Sequence, residues 1–399
     1  MIVYTNASSP RDDPGGQTRF LDDANAGSAT FINNGAQSAG FFGSGLTAFF
    51  AGSAADGLFI NNGGEVSGAQ GGSVYMSGSP TAGSGVFVNQ GATVSGALGG
   101  LTQILGGSDA GNATLIANGG VNGGLGGVIL LTDSATGGTA RAEIFGNGQL
   151  DVSAHNTFTG GATIGSIEGD GTVFLGSINL TTGANNLSTV FSGVLRDGGI
   201  VSGSGGSLSK IGEGNLTLSG ANLYTGATKL SGGELIISNT VGSATGSGSV
   251  QITAGLLGGS GTITGSVTVG TGHGPGAFLA PAAGTRKQAT LTIQSGLTFN
   301  SDATYIYTFK AKRNKFKMDN VIANGVTINS GASLNLSGQA QGTLTQGTVL
   351  PVISNTSTTS IAGTFSNLPD GAIVTVNGNN LQASYSGGDG NDLTLTVVP

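Results

Sequence analysis

Five segments of this chain repeat one motif at a fixed spacing, and that repeat constrains the fold more than any other feature. They are Ala29-Thr30-Phe31-Ile32-Asn33-Asn34-Gly35, Gly57-Leu58-Phe59-Ile60-Asn61-Asn62-Gly63, Gly85-Val86-Phe87-Val88-Asn89-Gln90-Gly91, Ala113-Thr114-Leu115-Ile116-Ala117-Asn118-Gly119 and Ala142-Glu143-Ile144-Phe145-Gly146-Asn147-Gly148. Their closing glycines stand at 35, 63, 91, 119 and 148, so the spacing is constant over four copies and one position wider at the last. Two further extended pieces recur within each period. One reads like Glu65-Val66-Ser67-Gly68 and Thr93-Val94-Ser95-Gly96, the other like Ser73-Val74-Tyr75-Met76, Thr102-Gln103-Ile104-Leu105 and Val128-Ile129-Leu130-Leu131. Short strands divided by Gly, Asn and Ser turns, with no helical periodicity, predict an all-β chain. Three strands in each repeat of about 28 residues predict one coil of a parallel β-helix (β-solenoid), each strand forming one face.

In such a stack every strand pairs with its equivalents above and below, about 4.8 Å away. The spacing predicts one inward apolar column, Phe31, Phe59, Phe87, Leu115 and Ile144. The Asn-Gly corners need a left-handed backbone, which Gly adopts freely and Asn tolerates. Asn34, Asn62, Gln90, Asn118 and Asn147 are expected to stack as an amide ladder. A row of ligand-binding amides is the functional alternative, and turn chemistry accounts for them without it.

Composition narrows the class further. With 78 Gly in 399 residues, 8% charged and no Trp, an ordinary globular core is not expected. Collagen is excluded because Gly lacks a three-residue period and only 8 Pro are present. Simple disorder conflicts with 37% hydrophobic residues. The absence of Cys excludes disulfides and thiolate chemistry. A net charge of -7 speaks against general nucleic-acid binding, so no nucleic-acid partner is expected. Apolar runs such as Val128 to Leu131 are far short of a membrane helix. The start, Met1-Ile2-Val3-Tyr4-Thr5-Asn6, has no basic region followed by an apolar stretch, so an export signal is expected outside this segment.

From about residue 150 the repeat changes. Gly206, Leu208, Lys210, Gly212, Gly214, Leu216, Leu218, Gly220, Asn222, Tyr224, Thr225 and Gly226, then Gly233-Glu234-Leu235, follow the pattern G-x-L-x-K-x-G-x-G-x-L-x-L-x-G-x-N-x-Y-T-G with a closing G-x-L. This run resembles the passenger-associated transport repeat of bacterial autotransporters. A partial copy lies at Asn156 to Thr163, with Phe158 in the place of the tyrosine. Gly255 to Val267 and Tyr385 to Leu393 also look like segments of that family's passengers. The resemblance implies a right-handed parallel β-helix carried to the cell surface by an outer-membrane β-barrel translocator outside this chain, with the repeat assisting export or folding. Gly212, Gly214, Gly220 and Gly226 are expected at corners, with Leu208, Leu216, Leu218 and Tyr224 facing the core. Lys210 is expected to be solvated.

Residues suited to catalysis are sparse. His155 and His273 are the two histidines, the second within Gly272-His273-Gly274-Pro275-Gly276, a turn by composition. Glu168 and Asp170 stand two apart and could form a carboxylate pair on one strand face, although their glycine neighbours favour a solvated turn. Gly387-Gly388-Asp389-Gly390-Asn391-Asp392 resembles the start of a calcium nonapeptide, but a single copy is expected to form a last solenoid turn. No catalytic residue, metal site or cofactor is therefore expected.

Charge concentrates in one place. Lys310, Lys312, Arg313, Lys315 and Lys317 hold five of the 13 Lys and Arg residues, after Tyr305-Ile306-Tyr307-Thr308-Phe309. A protruding loop or strand end is expected there, and its sharper reading is a patch for anionic surfaces such as lipopolysaccharide or acidic glycans. The sequence thus divides into regular rungs at 1–150, the transport-repeat region at 151–270 and a less regular solenoid part at 271–399. The expected function is an extracellular scaffold or adhesin contacting host or sibling cells, extracellular matrix or glycans. A β-helical polysaccharide enzyme and a self-associating surface-layer or appendage subunit are the alternatives.

Overall fold

The structure, a computed structural model, describes residues 2–9, 13–40, 43–156, 160–274, 276–284, 287–312 and 315–399. Every regular element among them is a β-strand, and most pair in parallel. The chain forms two compact units, Met1–Gly214 with Leu223–Thr225, and Asn215–Asn222 with Gly226–Pro399.

The first unit winds two parallel sheets from the repeat. One face stacks Val3–Asn6, Thr30–Asn33, Leu58–Asn61, Val86–Asn89, Thr114–Ala117 and Arg141–Ile144. The other begins with Gln17–Phe20, Leu46–Phe49, Ser73–Met76, Leu101–Ile104 and Val128–Leu131. A third line is formed by single parallel bridges joining Asn25, Ser53, Thr81, Asp109 and Thr136. Glu65 to Gly68 and Thr93 to Gly96, expected as strands, are turns instead. Gly68 and Gly96 take φ of 77° and 74°, and that left-handed step bends the chain where a strand would have to run on.

Phe31, Phe59 and Phe87 are successive register partners and Leu115 is the next. Their rings stack at 5.0 and 4.7 Å between centroids, within 10° of parallel, and all are buried. Ile144 does not continue this column. Leu115 pairs with Ala142, and Ile144 lies beside Ala117. The coil tightens there, because the strand register closes one position early while the glycine spacing from Gly119 to Gly148 widens by one.

A buried amide ladder exists, one residue before the expected one. Asn6 donates to Asn33 at 2.7 Å, Asn33 to Asn61 at 2.7 Å and Asn61 to Asn89 at 2.8 Å. Asn33, Asn61 and Asn89 have no exposed surface. The expected outer row makes two separate bonds, Asn62 to Asn34 and Asn118 to Gln90, each at 3.0 Å. Asn147 leaves that row, donating to the Gly124 carbonyl and accepting from the Gly120 amide.

In the second unit Asn215–Leu218 pairs with Thr228–Ile237, and the latter with Val250–Gly259, all parallel. A second sheet runs Thr262–Ile263, Thr290–Ile293, Asn320–Ala323 and Val349–Asn355 in parallel, then turns antiparallel through Asp392–Val398, Asn379–Gly387 and Ile373–Val376. The Gly387 to Asp392 segment is accordingly the turn of an antiparallel hairpin, and the expected last solenoid turn is not formed there. Asp392 is committed to it by accepting the Asn355 amide at 2.8 Å.

Candidate functional site

Two regions carry the residues singled out by the sequence. In the transport-repeat run, strand alternation places Leu208, Leu216 and Leu218 in the core, and Tyr224 is also fully buried. Gly206, Gly212 and Gly214 stand where a Cβ would meet Leu175, the Gly183 carbonyl or the Leu187 carbonyl at 2.6 Å or less. Asn222 is buried and donates to the Ala244 carbonyl at 2.5 Å. Gly220 and Gly226 lie at bends.

Lys210 departs from the expected solvated position. It is 1% exposed, and its ammonium donates to the carbonyls of Ile211 at 2.6 Å and Gly212 at 3.2 Å. The alternation that buries Leu208 points residue 210 inward as well. Burial disfavours the charged form and brings the ammonium down to about 8. Asp197 anchors the other end of the run. Its carboxylate accepts the Gly205, Gly206 and Thr225 amides and the Thr225 hydroxyl.

The second region is the cation cluster. Ala303–Lys312 runs parallel to Ser333–Gln341 on one edge, and on the other edge turns back antiparallel as Lys315–Met318. Lys310 faces Lys317 and Lys312 faces Lys315 across the hairpin. Alternation splits its two sides: Phe309 and Ala311 are buried, whereas Lys310, Lys312, Lys315 and Lys317 are exposed. The cluster therefore forms a hairpin face where a loop or strand end was expected. Arg313 lies outside the described residues, as does Phe158 of the partial upstream repeat.

A firm base holds this hairpin. Asp319 is buried, with one carboxylate oxygen accepting the Ala289 amide at 2.9 Å and the other the Thr308 amide and hydroxyl at 2.9 and 2.8 Å. Desolvation pushes its carboxyl up, against the pull of those donors. Tyr305 and Tyr307 donate their hydroxyls to the Val352 and Pro351 carbonyls at 2.9 and 3.1 Å.

The remaining candidates serve the fold. His155 is buried with Nε2 2.8 Å from the Ala135 carbonyl. Glu168 pairs with Arg141, which also meets Glu143 at 3.2 Å, while Asp170 accepts the Gly146 amide at 2.8 Å. These two carboxylates thus do not act as a pair. His273 is exposed in a turn whose Thr271, Gly272 and Gly274 amides all point at Asp302. No group of three or more His, Asp or Glu placed to hold a metal occurs among the described residues.

Residues 208–237 match the passenger-associated transport repeat. A stretch of 117 residues, 27% of the chain, is 38% identical to the Adhesin BmaC autotransporter of Brucella suis biovar 1 (strain 1330), and the chain covers 3% of that protein. The crystal structure of the Haemophilus influenzae Hap adhesin superposes on the whole chain with 12% identity and a TM-score of 0.29, over 43% of its own length. The chain carries the passenger-associated transport repeat within an all-β, largely parallel repeat-sheet architecture consistent with a β-solenoid, and it is similar to autotransporter passenger domains.

Proposed function

We propose that this chain is the structural and adhesive part of a surface-displayed autotransporter, built of right-handed coils that keep the period of the repeat in its first part. Right-handed crossovers are the rule for parallel strands joined within one sheet. The observation that carries the reading is the match at 208–237, because its Leu208, Leu216, Leu218, Tyr224, Leu230 and Leu235 are buried in the core. The BmaC relative is named an adhesin, which supports a contact function over catalysis. In this reading stacked coils supply a scaffold, the repeat assists export or folding, and exposed segments meet host or sibling cell surfaces, matrix or glycans.

The test is display. The chain is expressed between a secretion signal and an outer-membrane translocation barrel in a non-adherent Gram-negative host. Surface protease sensitivity, and adherence to matrix-coated plates above that of the barrel alone, are expected. A chain displayed in full that confers no adherence to cells, matrix or glycans overturns the adhesive reading. Retention in the periplasm overturns the passenger reading.

A further inference from the structure

The hairpin face stands out against the charge of the rest of the chain. Residues 271–369 contain seven of the 13 Lys and Arg and two of the 20 Asp and Glu, in a chain of net charge -7. One of those two acids, Asp319, is buried and committed to the Thr308 and Ala289 bonds. The other, Asp302, is taken up by the Thr271 to Gly274 amides. Like charges directly opposed across strands destabilise a hairpin, yet here two such pairs follow one another. Among the described residues no carboxylate forms an ion pair with Lys310, Lys312, Lys315 or Lys317.

The face also has relief and direction. A cleft of about 620 Å³ is lined by Lys310, Lys312, Lys315 and Lys317 with Gln339 and Gln341, and by Ala311 and Phe316 between the lysines. A second cleft, of about 270 Å³, shares Lys310 and Gln339 and adds Lys287 and Gln288, which lie well upstream in sequence. The two clefts share walls, so the cations form a track longer than a single anion needs. Its hydrogen-bonding groups are ammoniums and side-chain amides, joined in the second cleft by Thr308 and Ser337. Ammoniums suit carboxylates or sulfates, and amides both donate to and accept from hydroxyls.

We propose that this track binds a linear acidic glycan, laid along Lys287, Lys310, Lys312, Lys315 and Lys317. A glycan fits better than a nucleic acid, because single strands are held by successive aromatic platforms, and the ring that lines the larger cleft, Phe316, is half-buried opposite Ala311, with strand parity opposite to that of the lysines. The proposal deepens the adhesive reading by naming a ligand class, but binding is measured on purified chain and so does not depend on display.

The experiment measures binding of the full chain to immobilised heparin fragments and polygalacturonate, with dextran, duplex DNA and phosphatidylserine vesicles alongside. Both acidic glycans are expected to bind at low salt and to weaken about tenfold or more at high salt, as exposed charges are screened. Changing Lys310, Lys312, Lys315 and Lys317 together to Gln should cost about tenfold or more in affinity, and Lys287→Gln alone a few-fold. Lys229→Gln, on another strand, should change nothing. Thermal melts keep the quadruple variant interpretable, since removing opposed like charges should leave stability equal or higher. Undiminished glycan binding by that variant overturns the proposal, as does equal binding to dextran or no binding to either acidic glycan. Tighter binding to DNA or to vesicles than to both glycans overturns the choice of a glycan as occupant.

Discussion

The Thr225 hydroxyl donates to Oδ2 of Asp197 at 2.6 Å although 28 residues separate them. The same carboxylate holds the backbone amides of Gly205, Gly206 and Thr225. The Tyr-Thr-Gly step of the transport repeat is thereby tied to the preceding coil at the point where Tyr224 enters the core.

That tie predicts unequal costs for its two ends. Thr225→Val removes a hydroxyl that donates to Asp197 and accepts the Gly205 amide, both at an exposed site, and should cost about 0.5–1.5 kcal/mol. Asp197→Ala removes the acceptor of several donors at once and should cost about 1–3 kcal/mol. Urea titrations of both variants check this. Equal stability of the Asp197 variant and the parent would show that water replaces the carboxylate without loss.

The two asparagine rows predict a sharp contrast between neighbours. Asn61 bonds Asn33, Asn89 and Thr102 inside the coil, whereas Asn62 bonds Asn34 at the outer corner. Asn61→Ala should cost about 2–4 kcal/mol, because a cavity opens and buried amides lose partners. Asn62→Ala should cost under about 1 kcal/mol. Comparable losses in chemical denaturation would place the ladder's stabilisation in the outer row instead.

The aromatic column gives a graded series. Phe59 lies between Phe31 and Phe87, with Phe49 edge-on at 5.6 Å. Phe59→Ala should cost about 3–5 kcal/mol by leaving a cavity. Phe59→Leu should cost far less, about 1–1.5 kcal/mol, since Leu115 already serves two coils further along. Calorimetry on the two variants distinguishes packing volume from ring stacking: a leucine variant as unstable as the alanine one would make stacking the dominant contribution.

Much of this was legible from alternation. Phe31 facing inward fixes Asn33 on the same side, two residues on, and leaves Asn34 outside. Leu208 fixes Lys210 inward by the same parity, and buried Phe309 fixes Lys310 outward. The Asn-Gly corners drew the expected ladder one residue too far, because turn chemistry marks residue 34 as strongly as parity marks residue 33. The third strand was not legible as a turn, since Glu65-Val66-Ser67 reads as extended until Gly68 takes its left-handed φ. Likewise Lys287 joins Lys310 through the fold alone. Local sequence also gave no sign that the ladder would turn antiparallel after Val349–Asn355, a switch set by which strand edge the last residues meet.

Lys210 predicts an unusual pH dependence. Its ammonium is buried against the Ile211 and Gly212 carbonyls, and desolvation lowers it from the ordinary 10.5 to about 8. Between those values the unfolded chain binds a proton that the folded chain has released, so stability rises with pH across that window. Below about 8 both states carry the proton, and burying the charge is a constant cost, at most about 3 kcal/mol. Tyr305, Tyr307 and Tyr385, all pushed up by burial, act in the opposite sense once unfolded tyrosines ionise near 10. The gain should therefore be visible from about pH 8 to 9.5. Lys210→Met keeps an unbranched stem of similar volume, removes the buried charge and should flatten the slope while leaving stability at pH 7 equal or higher. Urea midpoints of both proteins at half-unit steps from pH 7 to 9.5 provide the test. A parent protein with no rise in midpoint, or a methionine variant with the same rise, would show that Lys210 reaches water in the folded state and that the carbonyl contacts do not hold it.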